Sequence, residues 1–424
     1  MTAEAKLQAG RSWARRTQVL MAAAVAAATL ATVPVLTAAG TADAAATDDG
    51  SGFPAHPATD PFYIAPVTLT GVAPGTILRS RPVTIRGMGF PVPVRAWQVL
   101  YRSTDAQGRP NAVSGTVGVL DDGRPLVGRP LVAYNVGSHG LGPDCAPSYL
   151  LRQGADAEEP IMAGALARGW AVMVSDYEGS GTPGPHTYGS GLATGRAVLD
   201  GARAAQRLPA LGLTARSPVA LWGYSEGGLA TAWAAELAPK YAPELNIVGA
   251  AAGGVPASLG NVARKIDGGP LSGFVLAAAV GLDRAYPTMR LHELLNSSGQ
   301  IAAEAVATMC QYEWTMAFAN KHMADFTTVP DPLNLPRVRA ILDANTLGAR
   351  NPGIPLYLYE SAQDEFMPLA DVRGLVRTYC GYQLPVSYYE DSFSEHISLA
   401  GQGAPAAIAW LGDRFAGTAA PSSC

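Results

Sequence analysis

The sequence carries little charge and lacks the common metal-binding patterns. Only 15% of its 424 residues are charged, and 30 lysines and arginines stand against 34 aspartates and glutamates, for a formal net charge of −4. A mildly acidic protein has no electrostatic attraction to nucleic acid, so we expect no nucleic-acid partner. The patterns Cys-X-X-Cys and His-Glu-X-X-His are missing, and His292-Glu293 lacks a second histidine. We therefore expect no metal site.

The N-terminal segment has the composition of a secretory signal peptide. Four basic residues precede an alanine- and valine-rich run over residues 19–40: Lys6, Arg11, Arg15 and Arg16. The small-residue cleavage pattern Ala-Asp-Ala follows at residues 42–44. We predict that residues 1–44 are removed and that residues 45–424 are exported as an extracellular protein. The run is long for a signal peptide, so a membrane anchor is the alternative. The paired arginines at 15–16 are a weak indication of the twin-arginine export route, so the sequence does not decide between this route and the general secretory route.

Cysteine is scarce, and all four cysteines lie in the predicted exported part. They are Cys145, Cys310, Cys380 and Cys424. Secreted proteins meet an oxidising environment, where an even number of cysteines predicts disulfides, here two. Four cysteines allow three pairings, and their spacing alone does not choose between them.

Strand-like and helix-like patterns alternate along most of the exported chain. A predicted hairpin, Val94–Thr104 with Ala112–Leu120, comes first. Strands then follow at residues 129–137, 170–175, 218–222, 246–251, 354–360 and 384–390, separated by predicted helices at residues 159–168, 192–208, after the serine motif to 237, 369–379 and 396–415. Alternation with helices of this length predicts an α/β fold, with a mostly parallel sheet covered by helices on both faces.

The alternation stops between about residues 255 and 345. This stretch has helical patterns and no clear strand pattern, and its most apolar run, residues 271–282, is too short to span a bilayer. We predict a helical cap inserted into a single catalytic domain. A separate helical domain is the alternative.

One Gly-X-Ser-X-Gly pattern lies where a predicted strand meets a predicted helix. Its members are Gly223, Ser225 and Gly227, and the sequence contains no second match. A sharp strand-to-helix turn needs such glycines, because the serine adopts a strained backbone conformation and side chains beside it would collide. The turn exposes the serine hydroxyl and directs the first N–H groups of the helix toward a developing oxyanion. We predict that Ser225 is a nucleophile.

The partners of this serine are expected later in the chain. In proteins with this motif the order is serine, acid, histidine, with the last two on loops after late strands. His396 lies just beyond the last predicted strand, whereas the other two histidines after Ser225 lie in the predicted cap. Asp364 follows the preceding strand, and its neighbour Glu365 is the alternative acid. We predict that His396 is the general base and that Asp364 orients its imidazole.

A second glycine-rich stretch has the spacing of a dinucleotide-binding motif. Its glycines are Gly179, Gly181 and Gly184. A dinucleotide site needs these glycines to open a helix, and Pro183 and Pro185 exclude a helix at this point. We therefore predict a broad loop beside the nucleophile and expect no cofactor.

Several motifs together resemble the secretory lipases of yeasts and actinobacteria, the family typified by yeast lipase A. The matching segments run through nearly all of the exported chain: DPFY, PGTILR, VLYRSTDAQGRP, GLGPDCAPSY, VSDYEGSG, GYSEGG, QDEFMP and SEHISLA. The resemblance implies an α/β-hydrolase fold with a helical cap and the hydrolysis of carboxylic esters, often acylglycerols. It carries the nucleophile, acid and base of the family onto Ser225, Asp364 and His396.

The resemblance also implies an oxyanion hole. The donors of the family fall on the backbone N–H of Glu226 and on the side chain of Asp176. A carboxyl group donates a hydrogen bond only while it is protonated, so we expect a raised pKa for Asp176 and a loss of activity at alkaline pH. Glu226 departs from an elbow with a small residue after the serine, and the sequence gives no purpose for its carboxylate.

The cysteine pairing implied by the resemblance is Cys145 with Cys310 and Cys380 with Cys424. The first disulfide would join the loop region near the predicted active site to the cap.

These features together predict a secreted lipase or esterase that hydrolyses acylglycerols or related acyl esters through an acyl-enzyme. The alternatives are an esterase for short or soluble esters, a peptidase on the same fold and a non-catalytic protein that binds lipid. We expect a lipid or ester substrate, transient contact with a lipid interface and no obligate protein partner.

Overall fold

The computed structural model describes residues 54–424, so the predicted signal peptide lies outside the described residues. The strands are β1 Ile77–Val83, β2 Arg86–Gly87, β3 Phe90–Pro91, β4 Val94–Thr104, β5 Pro110–Leu120, β6 Leu131–Asn135, β7 Ala171–Ser175, β8 Val219–Tyr224, β9 Ile247–Gly253, β10 Leu356–Ser361 and β11 Val386–Asp391. The α-helices are α1 Pro147–Gln153, α2 Glu159–Ala167, α3 Gly191–Arg207, α4 Glu226–Tyr241, α5 Leu259–Ile266, α6 Gly273–Ala285, α7 Ser297–Val306, α8 Gln311–Ala317, α9 Met323–Phe326, α10 Pro336–Ala344, α11 Leu369–Gly381, α12 His396–Gln402 and α13 Ala404–Phe415. Short 3-10 helices cover Pro61–Tyr63, Pro143–Cys145, Pro209–Leu211, Pro287–Met289, Leu291–Glu293 and Pro332–Asn334.

Nine strands form one sheet in the order β1-β4-β5-β7-β6-β8-β9-β10-β11, and β2 pairs with β3 apart from it. The pairs from β1 to β7 in this order are antiparallel. All pairs from β7 to β11 are parallel. The prediction of an α/β fold with a mostly parallel sheet is therefore confirmed.

The central strands are buried over their whole length. Every residue of β6, β7 and β8 is buried, as expected where helices cover both faces of a parallel sheet. α3 and α4 pack closely on each other and on the sheet, and α2 and α13 form a second packed pair on it. The contact of α3 with α4 requires glycine, because a Cβ at Gly191 would lie 2.0 Å from the ring of Trp233.

The chain between β9 and β10 forms the helices α5 to α10. They pack around two apolar clusters, one containing Phe274 and Trp314 together with Phe366 from the loop after β10, and the other containing Leu291 and Ile341. In the part of the chain that the structure describes, no helix is both long enough and apolar enough to cross a membrane. The division into one catalytic domain with an inserted cap stays a prediction.

The last predicted helix, residues 396–415, is two helices in the structure. α12 ends at Gln402 and α13 begins at Ala404. Pro405 near the start of α13 has no N–H to continue the hydrogen-bond ladder from α12, and proline is favoured in the first turn of a new helix. The break brings Gly403 against the sheet, where a Cβ would lie 2.7 Å from the ring of Tyr359.

Candidate active site

Ser225 lies at the turn between β8 and α4. Its backbone has φ 60° and ψ −121°, a conformation that is strained for a residue with a side chain. The glycines on either side let this turn pack against the end of β6. A Cβ at Gly227 would lie 1.9 Å from the carbonyl oxygen of Asn135, and one at Gly223 would lie 2.5 Å from the same oxygen. The turn therefore requires glycine at both positions for steric reasons.

The structure brings Ser225, His396 and Asp364 into a continuous chain of contacts. His396 Nε2 lies 3.0 Å from Ser225 Oγ, and His396 Nδ1 lies 2.5 Å from Asp364 Oδ2. Since a carboxylate only accepts, Nδ1 carries the hydrogen and Nε2 is left to accept one from the serine hydroxyl. The imidazole is almost fully buried, so it has little freedom to leave this position.

The loop after β10 holds the acid in place. Asp364 Oδ1 accepts hydrogen bonds from the backbone N–H groups of Phe366 and Met367, at 2.7 and 2.6 Å. Burial opposes ionisation of Asp364, but its hydrogen bond to His396 and the backbone donors hold its pKa below the usual range. Lys265 of α5 donates to the carbonyl oxygen of Asp364 at 2.6 Å and so joins this loop to the helices that follow β9.

Glu365, the alternative acid in the sequence, contacts a different part of His396. Its Oε2 accepts from the backbone N–H of His396 at 3.0 Å, while the imidazole contacts Asp364. The two neighbouring carboxylates therefore position the side chain and the backbone of the histidine separately.

A further buried carboxyl group, Glu360 at the end of β10, lies beside this acid. It accepts from the backbone N–H groups of Val255 and Ser361, at 3.2 and 3.1 Å. Burial and the negative charge of Asp364 raise the pKa of Glu360 well above its usual range. The charged form of Glu360 is therefore disfavoured beside the ionised Asp364.

Asp176 follows β7, and its carboxyl group is surrounded by donors. Oδ1 accepts from the backbone N–H of Ser148 at 2.8 Å, and Oδ2 contacts the hydroxyls of Ser148 and Ser114 at 2.5 and 2.6 Å. Burial raises the pKa of Asp176 to about 6 even though these donors lower it. These contacts direct both oxygens to the two serines, and the structure gives the carboxyl group no hydrogen bond to Ser225. Its role in an oxyanion hole stays a prediction.

Glu226, the first residue of α4, has a partner that sequence reasoning missed. Its carboxylate Oε1 lies 2.6 Å from His186 Nε2, and both side chains are only 3% exposed. His186 belongs to the glycine-rich loop after β7, in which the glycines at 179, 181 and 184 all have positive φ and no helix forms. The composition of the loop gives no signal that this histidine contacts Glu226.

A large apolar cavity opens at Ser225. The empty space within its lining, including the part open to solvent, is about 1320 Å³, and Ser225 and Glu226 lie in its wall together with side chains from α5, α6, α10 and the segments between them. Apolar residues make up most of the remaining lining, among them Leu276, Leu282, Leu294, Phe366 and Met367. This environment suits an apolar chain attached to a group that reacts at the serine.

Two disulfides crosslink the described chain. Cys145 and Cys310 are bonded, with their Cα atoms 5.4 Å apart, and a second disulfide joins Cys380 to Cys424. The first connects the loop after β6 to the start of α8. In the described residues, no group of histidine, cysteine, aspartate and glutamate side chains is arranged to hold a metal ion.

A strand-order reversal around β6 and β7, a serine at a tight strand-to-helix turn and a histidine after the last strand define the α/β-hydrolase class of proteins. The comparison with solved structures agrees. Candida antarctica lipase A in its closed state superposes with a TM-score of 0.80 at 29% identity, over 87% of this chain and 89% of that one.

The chain belongs to the secretory lipase family, whose model matches residues 147–423. Lipase A of Arthroderma benhamiae is 34% identical to it over 88% of this chain and 82% of that protein. A protein of Mycobacterium tuberculosis named as a probable inactive lipase is 38% identical over 86% of this chain and 83% of that protein. The predicted family is confirmed. Membership of this family makes the protein a secreted one and places it among the lipases and carboxylic ester hydrolases.

Proposed function

We propose that the protein is a secreted enzyme that hydrolyses carboxylic esters of acyl chains, such as acylglycerols, through an acyl-enzyme on Ser225. The observation that carries the proposal is the contact chain Ser225–His396–Asp364, with 3.0 Å from Oγ to Nε2 and 2.5 Å from Nδ1 to the carboxylate. These distances are within the range needed for proton transfer from nucleophile to base.

The geometry supports a mechanism in two halves. Ser225 Oγ attacks the ester carbonyl while His396 Nε2 takes its proton, and Asp364 stabilises the imidazolium that forms. The backbone N–H of Glu226 and, as proposed second donor, Asp176 stabilise the tetrahedral oxyanion. His396 then protonates the departing alcohol. In the second half, His396 takes a proton from a water molecule, which attacks the acyl-enzyme carbonyl, and the carboxylic acid is released as Ser225 regains its proton.

The cavity supports acyl esters as the substrate class. An acyl chain that extends from Ser225 into this cavity would contact mainly leucine, valine, phenylalanine and methionine side chains. Each buried CH₂ group contributes about 0.8 kcal/mol, so chains that extend into the cavity should be favoured over acetyl esters. An esterase for short or soluble esters would show no such preference.

The second candidate is a protein of this fold that binds lipid without turning it over. The similarity to a mycobacterial protein named as a probable inactive lipase favours this alternative. The intact contacts between serine, histidine and aspartate favour catalysis.

Labelling with a fluorophosphonate and hydrolysis of p-nitrophenyl esters of increasing acyl length separate the candidates. We expect the purified protein to be labelled and to release p-nitrophenol, and Ser225→Ala to lose both properties. Ser298→Ala, which replaces an exposed serine on α7, is the matched control and should keep both. A folded wild-type protein that is neither labelled nor active would overturn catalysis and leave the lipid-binding alternative.

A further inference from the structure

The residue after the nucleophile presents an electrostatic problem. Glu226 opens α4, and its backbone N–H is the predicted oxyanion donor, so its side chain lies close to the place where negative charge develops. A buried carboxylate there would repel the oxyanion, and low exposure to solvent leaves this repulsion poorly screened. Stabilisation of the oxyanion therefore requires a neighbouring group that neutralises the Glu226 carboxylate.

Hydrogen-bond geometry indicates that one proton lies between His186 and Glu226. His186 Nδ1 is 2.9 Å from the carbonyl oxygen of Glu178, which can only accept, so Nδ1 carries a hydrogen. His186 Nε2 is 2.6 Å from Glu226 Oε1. A contact this short between these two atoms holds one further proton, either on the imidazole or on the carboxyl group. In both cases the histidine and the glutamate together have no net charge.

The surroundings of His186 hold it in this position. Its ring stacks on Tyr177, with 5.5 Å between ring centroids and 15° between the planes. Its backbone N–H donates to the carbonyl oxygen of Leu141 at 3.2 Å. Although burial lowers the pKa of His186, the Glu226 carboxylate raises it above its ordinary value, which favours retention of the proton.

We propose that His186 is a positioning residue for ester hydrolysis, which neutralises the Glu226 carboxylate and holds it away from the oxyanion formed at Ser225. This inference rests on the proposed function. It assigns a purpose to the glycine-rich loop after β7, because that loop delivers the histidine to the start of α4. It also accounts for a carboxylate directly after a nucleophilic serine.

A double-variant cycle tests the proposal. His186→Asn keeps a side-chain donor near the position of Nδ1 but removes Nε2, and so leaves Glu226 as an unpaired buried carboxylate. We expect kcat for a medium-chain p-nitrophenyl ester to fall on the order of 100-fold, comparable to the loss of one oxyanion donor, with KM changed much less. Adding Glu226→Gln removes the charge, so kcat of the double variant should be at least about tenfold higher than kcat of His186→Asn alone.

The outcomes separate this inference from the proposed function. If His186→Asn retains the wild-type kcat, or if Glu226→Gln restores nothing to a folded His186→Asn protein, the histidine acts only through packing and the inference is wrong. If His186→Asn does not fold, His186→Gln is used in the same cycle with circular dichroism as the check on folding. A wild-type protein that turns over no ester overturns the proposed function and this inference together, whereas an active wild type with an unimpaired histidine variant overturns the inference alone.

Discussion

Removal of either disulfide should destabilise the protein to a similar extent, but only one removal should slow the enzyme. The perturbation is replacement of both cysteines of one pair by serine. Cys380 and Cys424 are 44 residues apart, and Cys145 and Cys310 are 165 residues apart. The entropy that a crosslink of each length removes from the unfolded chain corresponds to about 4 kcal/mol for the first pair and about 5 kcal/mol for the second.

These free energies translate into melting temperatures. An unfolding entropy of about 2.1 cal/mol/K per residue over roughly 370 residues predicts a fall in Tm of about 5 °C without Cys380–Cys424 and about 7 °C without Cys145–Cys310. The difference between the two is small because the cost of closing a loop grows only with the logarithm of its length.

Activity should distinguish the two variants, because the disulfides lie in different places. Cys145–Cys310 ties the loop after β6 to the start of α8, whose Trp314 packs in one cluster with Phe274, and Phe274 lines the cavity. Backbone hydrogen bonds from Leu141 N to Met309 O and from Gln311 N to His139 O join the same two segments. These bonds should preserve the fold of the segment after β9 but let it move, so kcat/KM should fall by about threefold or more.

Calorimetry and initial rates on an acyl ester at 25 °C measure both effects. The variant without Cys380–Cys424 is the matched control, since this bond joins α11 to the C-terminus and should leave kcat/KM unchanged. Equal activity losses in the two variants would show that general destabilisation lowers the rate. A Tm loss confined to one variant would contradict the chain-entropy reasoning.

Three further predictions concern the site. Gly227→Ala should destabilise the protein and abolish most activity, because the new Cβ would lie 1.9 Å from a backbone oxygen. Gly374→Ala on α11, where the nearest neighbour of the new Cβ is 3.8 Å away, should instead stabilise the protein by about 0.8 kcal/mol. Thermal unfolding and initial rates measure both effects. The pKa of Asp176 is about 6 in the folded protein, against an ordinary value of 3.8 that applies to the unfolded chain. The folded state therefore keeps this proton to higher pH, and a rise in pH from about 3.8 to about 6 should remove about 3 kcal/mol of stability. Melts of wild type and Asp176→Asn at pH 4 and 7 should show this difference, and if the protonated carboxyl donates to the oxyanion, only the wild type should lose activity above pH 6. Glu360→Gln should cost far less kcat than Asp364→Asn, because burial and Asp364 raise the pKa of Glu360 and disfavour its charged form, whereas the charge of Asp364 stabilises the imidazolium; a comparable loss in the two variants would refute this.

The meeting of the predicted nucleophile, acid and base follows from features that the sequence displays. β8, β10 and β11 lie in the parallel part of the sheet, so the loops after them emerge at the same edge. Ser225, Asp364 and His396 follow these three strands within a few residues each. A correct alternation of strands and helices therefore suffices to bring them together, even though 171 positions separate the serine from the histidine.

Other parts of the site could not be predicted in this way. The serines that bind Asp176 come from β5 and α1, and nothing in their local sequence marks them as partners of a residue after β7. His186 lies in an irregular loop without periodicity, so the direction of its side chain depends on how the loop packs on Tyr177 and α4. Periodic patterns predict which strand a residue follows, whereas contacts from irregular segments depend on tertiary packing.

The carboxyl groups around Ser225 explain how a site rich in acidic residues can stabilise an anion. Glu226 pairs with His186 at 2.6 Å, and burial and Asp364 raise the pKa of Glu360 and so oppose its ionisation. Asp364 is held in the ionised state, where its charge stabilises the imidazolium of His396. A negative charge is thus retained beside the imidazolium, and the proposed pairing with His186 cancels the charge of Glu226 beside the oxyanion. Since the charge of Glu226 is balanced through its one contact with His186, loss of this histidine should slow the reaction even though the nucleophile, base and acid remain in contact.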